Sequence, residues 1–85
     1  MEIIKTADFD SAFDELPKNV QRLYHVQEKR FLESWHDSRL HVKKIKGLPD
    51  VFSFRVTRRY RVFFYFKVND TIIFFEVDHR KDIYR

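Results

Sequence analysis

The apolar residues of this sequence change their spacing at about residue 50, and this change limits the possible folds more than any other feature. Before it, apolar side chains recur at helical spacing, with about 3.6 residues per turn. From Val51 onward, Phe, Val and Ile alternate with other residues at a period of about two, as in half-buried strands. Because helices and strands occupy separate halves of the chain, the sequence predicts an α+β fold.

The N-terminal half is predicted to form one short strand and two helices. Residues 2–6 are the strand, and Asp8 is the expected N-cap of a short first helix. Pro17 cannot continue a helix interior but suits a first turn, so a longer second helix is expected from there to about Ser34. We expect the two helices to pack as a hairpin on one face of a sheet.

The C-terminal half is predicted to form a three-stranded antiparallel meander. Its third strand, residues 71–78, is apolar on both faces and is expected to be central. In the first two strands, Arg55 and Arg61 alternate with the apolar set, which predicts that both lie on the open face opposite the helices. Short polar turns are expected to separate the strands, at Arg58-Arg59 and Asn69-Asp70.

Size and composition limit the chain to one unit with few chemical options. With 85 residues, one Gly and two Pro, a single domain over residues 1–85 in the order β-α-α-β-β-β is expected. Ten Phe, four Tyr and one Trp predict an aromatic core. The absence of Cys excludes disulfides, and the longest apolar run, Val62–Phe66, is far below the roughly 20 residues that cross a bilayer. We therefore expect a cytoplasmic protein without a membrane segment.

Charge is distributed unevenly along the chain. Residues 1–37 contain five Lys/Arg and eight Asp/Glu, whereas residues 38–85 contain twelve and five, for a formal net charge of +4. A basic half with an acidic half held away from it is typical of proteins that bind nucleic acid. An ordinary solvated basic surface is the alternative interpretation of the same charges.

The basic half contains the groups that metal-free RNA cleavage requires. Such a reaction needs a base for the 2′-hydroxyl proton, cations that neutralise the phosphorane, and an acid for the departing 5′-oxygen. Arg55, Arg61 and Arg80 can bind phosphate with planar donor pairs and stay charged at any working pH. Arg is a poor base, so the proton acceptor is expected to be His79, Tyr84 or a lysine in a cationic pocket.

Other cations are candidates for substrate binding. Lys43, Lys44 and Lys46 form a predicted basic loop that would either hold phosphates or simply be solvated. The turn Arg58-Arg59 adds two further candidate contacts. No metal site and no cofactor is expected, because the histidines lack the spacing of metal ligands: His25, His36, His41 and His79.

Three segments of the chain follow one another in a distinctive order. They are Lys44-Ile45-Lys46-Gly47-Leu48-Pro49-Asp50-Val51-Phe52-Ser53-Phe54-Arg55-Val56, Arg59-Tyr60-Arg61-Val62 and His79-Arg80-Lys81-Asp82-Ile83-Tyr84. Together they resemble the RelE/ParE toxin superfamily, and more closely its RelE-like ribonuclease branch, over nearly the whole chain. The resemblance implies a RelE-like fold and the toxin of a bacterial or archaeal type II toxin–antitoxin pair. Such a toxin enters the ribosomal A site and cuts mRNA there by 2′-hydroxyl attack, without a cofactor.

The resemblance also implies roles for individual residues. Arg61 matches the family's phosphate-stabilising arginine, Arg80 the arginine that protonates or stabilises the leaving group, and Tyr84 the tyrosine that orients or activates the nucleophile. Arg55 lies where some members carry a catalytic lysine, and a second lysine of those members corresponds to Ser53 here. The identity of the general base therefore cannot be inferred from the resemblance, and the choice between His79 and Tyr84 stays open.

The same resemblance implies protein and RNA partners. A cognate antitoxin with an acidic toxin-binding segment would cover or displace the basic site in a hetero-oligomer, while mRNA and the ribosome would be the targets. Phe63 and Tyr65, expected on the open face, would stack bases or contact the antitoxin. The alternatives are a ParE-like toxin that inhibits DNA gyrase without nuclease activity, and a non-catalytic RNA- or ribosome-binding module.

Overall fold

Helices lie on one side of a single sheet in the computed structural model, which describes residues 1–79. The predictions for Arg80 and Tyr84 therefore lie outside the described residues. No helix within residues 1–79 is both long and apolar enough to cross a membrane. The elements are β1 (Glu2–Lys5), α1 (Ala7–Asp14), α2 (Lys18–Glu33), a 3₁₀ turn (Ser38–Leu40), β2 (Lys43–Lys44), β3 (Val51–Arg55), β4 (Tyr60–Lys67) and β5 (Thr71–His79).

The sheet has five strands in the order β1-β5-β4-β3-β2. Strand β1 runs parallel to β5, and the other neighbours are antiparallel. The predicted α+β class and the interior position of β5 are confirmed. The predicted basic loop is wrong at Lys43 and Lys44, which form the short edge strand β2 against Ser53 and Phe52. Two residues are too few to produce a periodic signal in the sequence.

Helix α1 begins two residues earlier than Asp8 would have placed it. Thr6 is the N-cap: its Oγ1 accepts a hydrogen bond from the Phe9 backbone N–H at 3.1 Å. The same hydroxyl donates to the Phe75 carbonyl at 3.4 Å, so tertiary contact with β5 selects this cap. Asp8 lies instead in the first turn, where its charge favours the helix dipole.

Helix α1 also protects an edge of the sheet. Strand β1 pairs only with the first half of β5, ending at Lys5 opposite Phe74. The chain then turns into α1, with the Thr6 backbone N–H still bonded to the Phe74 carbonyl at 3.0 Å. Because α1 packs on β5, the second half of that strand is not left as an open pairing edge.

The core between helices and sheet is aromatic, as predicted. Phe31 of α2 is 0% exposed and lies at its centre. Its ring centroid is 5.3 Å from that of Phe54, 5.1 Å from Phe64 and 5.2 Å from Phe74, one ring on each of three adjacent strands. Such ring pairs each contribute about 0.5–1.5 kcal/mol beyond area burial.

One polar side chain is buried in this core. Gln27 is 6% exposed, and its Nε2 donates to the carbonyls of Arg39 at 3.0 Å and Arg55 at 2.7 Å. Its Oε1 accepts a hydrogen bond from Arg30 Nη1 at 2.9 Å. Gln27 thereby joins α2 to the 3₁₀ turn and to the last residue of β3.

A second polar contact joins β1 to α2. Lys5 Nζ lies 2.7 Å from Glu28 Oε1, and the Tyr24 hydroxyl donates to the same oxygen. Burial opposes ionisation of Glu28, but the hydrogen bonds from Lys5 and Tyr24 outweigh it and lower the pKa of Glu28. Burial, followed by the hydrogen bond to Glu28, raises the pKa of Tyr24 well above its ordinary value.

Two irregularities shape the β4–β5 hairpin. Three residues, 68–70, connect the paired residues Lys67 and Thr71, and two of them, Asn69 and Asp70, adopt positive φ, at 63° and 58°, which Asn and Asp tolerate well. Further along, Phe63 pairs with Glu76 but Phe64 pairs with Phe74, so Phe75 is an extra residue in β5. This bulge adds one aromatic side chain to the face opposite the helices.

Candidate active site

The candidate site lies on the face of the sheet away from the helices, which we call the outer face. Strand registers arrange its side chains in three rows that run across the strands. The arginine row is Arg55, Arg61 and Asp78; the serine row is Lys43, Ser53, Phe63 and Glu76; and the apolar row is Val51, Tyr65, Ile73 and Ile4.

The arginine row confirms the predicted juxtaposition of two arginines. Arg55 of β3 lies directly opposite Arg61 of β4. Opposed side chains on one face have Cβ atoms about 4.5–5.5 Å apart, and like charges at that distance repel. Asp78 lies opposite Arg61 on its other side, and a phosphate or carboxylate bound beside Arg55 would bring a second negative charge to this row.

Burial of this row differs from the expected open face. Arg61 is 0% exposed, and Phe63 two residues further along β4 is 9% exposed. Phe63 is covered because the bulge brings the Phe75 ring to 6.2 Å from its own. Tyr65 remains 37% exposed, with its ring centroid 5.6 Å from that of Phe75. The outer face is therefore exposed at Tyr65 and Ile4 and closed around Arg61.

Two further donors on β3 point to the same kind of ligand. Ser53 Oγ and Arg55 Nε are buried and have no hydrogen-bond partner among residues 1–79. They are two residues apart on one strand, so both belong to the outer face. Buried polar groups are nearly always hydrogen-bonded, and two adjacent donors without an acceptor fit an oxyanion ligand.

Two carboxyl groups that sequence reasoning missed also lie on the outer face. Asp78 is opposite Arg61, and Glu76 is opposite Phe63. Burial, then the charge of Asp78, raises the pKa of Glu76. A strict period of two counted from the Asn69-Asp70 turn would have placed both on the helix face, and the extra residue Phe75 moves them to the outer face.

The structure separates His79 from the arginine pair. His79 pairs with Tyr60 at the end of β4, one residue beyond the Arg61–Asp78 pair, so its side chain lies on the helix face. The ring centroids of His79 and Tyr60 are 5.1 Å apart. Of the two proton acceptors favoured by the sequence, His79 is thus not brought to the arginine row, and Tyr84 lies outside the described residues.

The candidate substrate-binding cations divide into four positions. Lys43 faces outward beside Ser53, whereas Lys44 pairs with Phe52 on the helix face. Lys46 lies in the loop after β2, which encloses a shallow depression of about 480 Å³ lined by residues 44–49. Exposed cations also occupy the turn that joins β3 to β4, at Arg58 and Arg59.

Metal-ligand geometry is not found in this part of the chain. Within residues 1–79, no group of three or more His, Asp or Glu side chains is arranged to hold a metal ion. The chemistry that the described residues can supply is therefore electrostatic binding by guanidinium groups and proton exchange by carboxyl groups.

Comparison with solved structures identifies the fold of the chain. No family model and no curated protein matches the sequence. Among solved structures, a chain of the RelB–RelE antitoxin–toxin complex from Methanococcus jannaschii superposes with a TM-score of 0.77 at 27% identity, over 95% of this chain and 94% of that chain. YafQ from E. coli gives 0.78 at 6% identity over 99% and 98% of the two chains. The E. coli RelBE toxin–antitoxin complex gives 0.70 at 16% identity over 91% and 93%.

The solved structures that this chain resembles are toxins or toxin–antitoxin complexes, and they share the RelE-like fold. The chain has the RelE-like fold, and the resemblance inferred from the sequence is confirmed. The likeness to YafQ and to E. coli RelBE, below 25% identity, concerns the fold alone.

Proposed function

We propose that this chain is the toxin of a type II toxin–antitoxin pair and a metal-free endoribonuclease that cuts mRNA in the ribosomal A site. The observation that carries the proposal is the opposed pair Arg55 and Arg61, with the buried donors Ser53 Oγ and Arg55 Nε beside it. This is a site for an anion whose charge grows during reaction. The fold shared with a RelE-containing complex at 27% identity supports the same assignment.

In the proposed reaction, the 2′-hydroxyl of the bound nucleotide attacks the adjacent phosphorus. Arg61 and Arg55 stabilise the dianionic phosphorane, because guanidinium groups match its equatorial oxygens and are already oriented by the sheet. Arg80 protonates the departing 5′-oxygen or stabilises its charge. Since His79 lies on the helix face, we assign Tyr84 as the base that accepts the proton of the 2′-hydroxyl, and His79 is the second candidate.

The apolar row and the adjoining rings supply the proposed contact with partners. Tyr65 and Phe75 form an aromatic surface next to a basic site, which suits either an unstacked base or an apolar antitoxin side chain. The solved RelB–RelE complexes are antitoxin–toxin assemblies, which supports a hetero-oligomer here. We propose an antitoxin that is acidic where it meets the arginine row, and action on ribosomes in the cytoplasm.

Expression followed by primer extension on translated messages tests the proposal. We expect the wild type to produce site-specific breaks, and Arg61→Ala or Arg80→Ala to reduce them by on the order of 100-fold, as for loss of one oxyanion donor. Arg22→Ala, on the exposed surface of α2, is the charge-matched control and should cleave normally. Circular dichroism checks that each variant folds.

Two results would contradict the ribonuclease assignment. One is growth arrest by the wild type with intact messages and inhibited DNA supercoiling, which would favour a gyrase-directed toxin. The other is unchanged cleavage in both arginine variants, which would remove the site from the outer face.

A further inference from the structure

We propose that Lys43 and Ser53 form a second phosphate subsite, which holds the phosphate that flanks the scissile one. The proposal rests on the ribonuclease function above and gives the RNA strand a path across the outer face. The path runs from the arginine row to the serine row, so the enzyme would bind two consecutive phosphates rather than one.

Strand pairing places the two residues together. Lys43 of β2 is the register partner of Ser53 of β3, so both side chains stand on the outer face with Cβ atoms about 4.5–5.5 Å apart. The Lys43 side chain is exposed and can reach over its neighbour, whereas Ser53 is 0% exposed. The pair therefore combines a mobile ammonium group with a fixed hydroxyl donor.

The hydroxyl of Ser53 lacks an acceptor in the described part of the chain. Its Oγ is buried without a hydrogen-bond partner among residues 1–79. Leaving such a group unsatisfied costs about 1–3 kcal/mol, and an alanine at this position would avoid that cost. A phosphate oxygen held between this hydroxyl and the Lys43 ammonium would satisfy both donors.

The spacing between subsites suits an extended nucleic-acid strand. Ser53 and Arg55 are separated by two residues on one strand, which places them about 6.6–6.8 Å apart on the same face. This is close to the separation of consecutive phosphates in a single strand. Beyond Ser53 in the serine row, Phe63 is 9% exposed and forms an apolar wall that separates the subsite from Glu76.

The register also separates two lysines that look equivalent in the sequence. Lys44 is adjacent to Lys43 but pairs with Phe52 on the helix face. A lysine that only adds positive charge to the surface could be replaced by its neighbour, because electrostatic attraction to a phosphate extends over about 8–10 Å at physiological salt before it is screened. A phosphate subsite on the outer face requires Lys43 and does not require Lys44.

Cleavage of synthetic messages with one neutral methylphosphonate tests the subsite. The neutral group replaces the phosphate on either side of the scissile one, and wild type, Lys43→Ala and Lys44→Ala are compared on translating ribosomes. We expect the wild type to slow by about tenfold on one of the two modified messages, the loss of a charge-assisted hydrogen bond. Lys43→Ala should be slow on the unmodified message and indifferent to the modification, whereas Lys44→Ala should keep the wild type's sensitivity to the modification.

The variant Ser53→Ala gives an independent test of the subsite. It should cleave more slowly yet unfold at equal or higher urea concentration, because it removes a buried hydroxyl without a partner in the described structure. A purely structural role for Ser53 predicts the opposite change in stability.

The proposal is overturned if Lys43→Ala and Lys44→Ala slow cleavage equally, or if Lys43→Ala stays sensitive to the methylphosphonate. It is also overturned if Lys43→Ala weakens binding of the antitoxin but cleaves normally. If the wild type cleaves nothing, the ribonuclease function fails, and the subsite is judged by short-oligonucleotide binding instead. Only Lys43→Ala should then lower the slope of log affinity against log salt concentration by about one.

Discussion

Replacing Gln27 by Leu should destabilise the protein more than any other polar-to-apolar change on α2. The substitution removes two donors, one 3.0 Å from the Arg39 carbonyl and one 2.7 Å from the Arg55 carbonyl. It also removes the acceptor that lies 2.9 Å from Arg30 Nη1. Neutral hydrogen bonds each contribute about 0.5–1.5 kcal/mol and the charged one somewhat more, while added apolar burial offsets a part. We expect a net loss of about 2 kcal/mol.

Urea unfolding, followed by fluorescence of Trp35 and by far-UV circular dichroism, measures this loss. For a domain of 60–100 residues, about 2 kcal/mol corresponds to a fall in Tm of about 8–16 °C. Gln27→Glu should be worse than Gln27→Leu, because a carboxylate would place an acceptor against two carbonyl oxygens. The m-value should stay constant if the denatured state is unchanged.

Gln21→Leu is the matched control on the same helix. Gln21 Nε2 also donates to two carbonyls, those of Phe13 and Leu16, both at 3.1 Å, but it is only partly buried. Water can replace its hydrogen bonds, so we expect a cost below about 1 kcal/mol. If Gln27→Leu cost no more than Gln21→Leu, the argument that Gln27 holds β3 and the 3₁₀ turn would be wrong.

Three further perturbations follow from the described contacts. Because folding lowers the pKa of Glu28, the unfolded state binds a proton more readily than the folded state does. The stabilisation that Glu28 contributes should therefore be complete above pH about 4.5 and should be lost as the pH falls below it. Lys5→Met should weaken this dependence in urea midpoints measured from pH 6 to 3. Arg55→Met should raise the free energy of unfolding by about 0.2–1 kcal/mol by removing repulsion with Arg61, while abolishing cleavage; a loss of stability would refute the like-charge argument. Thr6→Ala should cost about 1 kcal/mol in chemical denaturation, and no change would exclude Thr6 as the functional cap.

The spacing of the apolar residues and the residue types in the turns made the fold class, the main strands and the juxtaposition of two arginines predictable. Alternation placed Arg55 and Arg61 on one face, and the short Arg58-Arg59 turn kept their strands adjacent. The Asn69-Asp70 turn was equally readable, because positive φ at two consecutive residues is tolerated best by Asn, Asp and Gly.

Features that depend on tertiary contact were not predictable from local pattern. Strand β2 exists because Lys43 and Lys44 find an edge to pair with, and Thr6 replaces Asp8 as cap because its hydroxyl also reaches β5. The bulge at Phe75 covers Phe63 and is invisible to a strict period of two. His79 shares a short motif with the candidate site, but strand parity turns its ring to the other face.

The pairing of β1 with β5 has a consequence for the order of events during synthesis. Glu2 finds its register partner at Thr71, 69 residues later, and the N-cap hydroxyl of Thr6 finds Phe75 at the same separation. The first strand to leave the ribosomal exit tunnel is therefore among the last to be incorporated, since β5 must emerge before β1 can join the sheet. Until then the outer face lacks the strand that carries Asp78. The arginine row is therefore completed only when β5 pairs with β4, after both of its arginines have been synthesised.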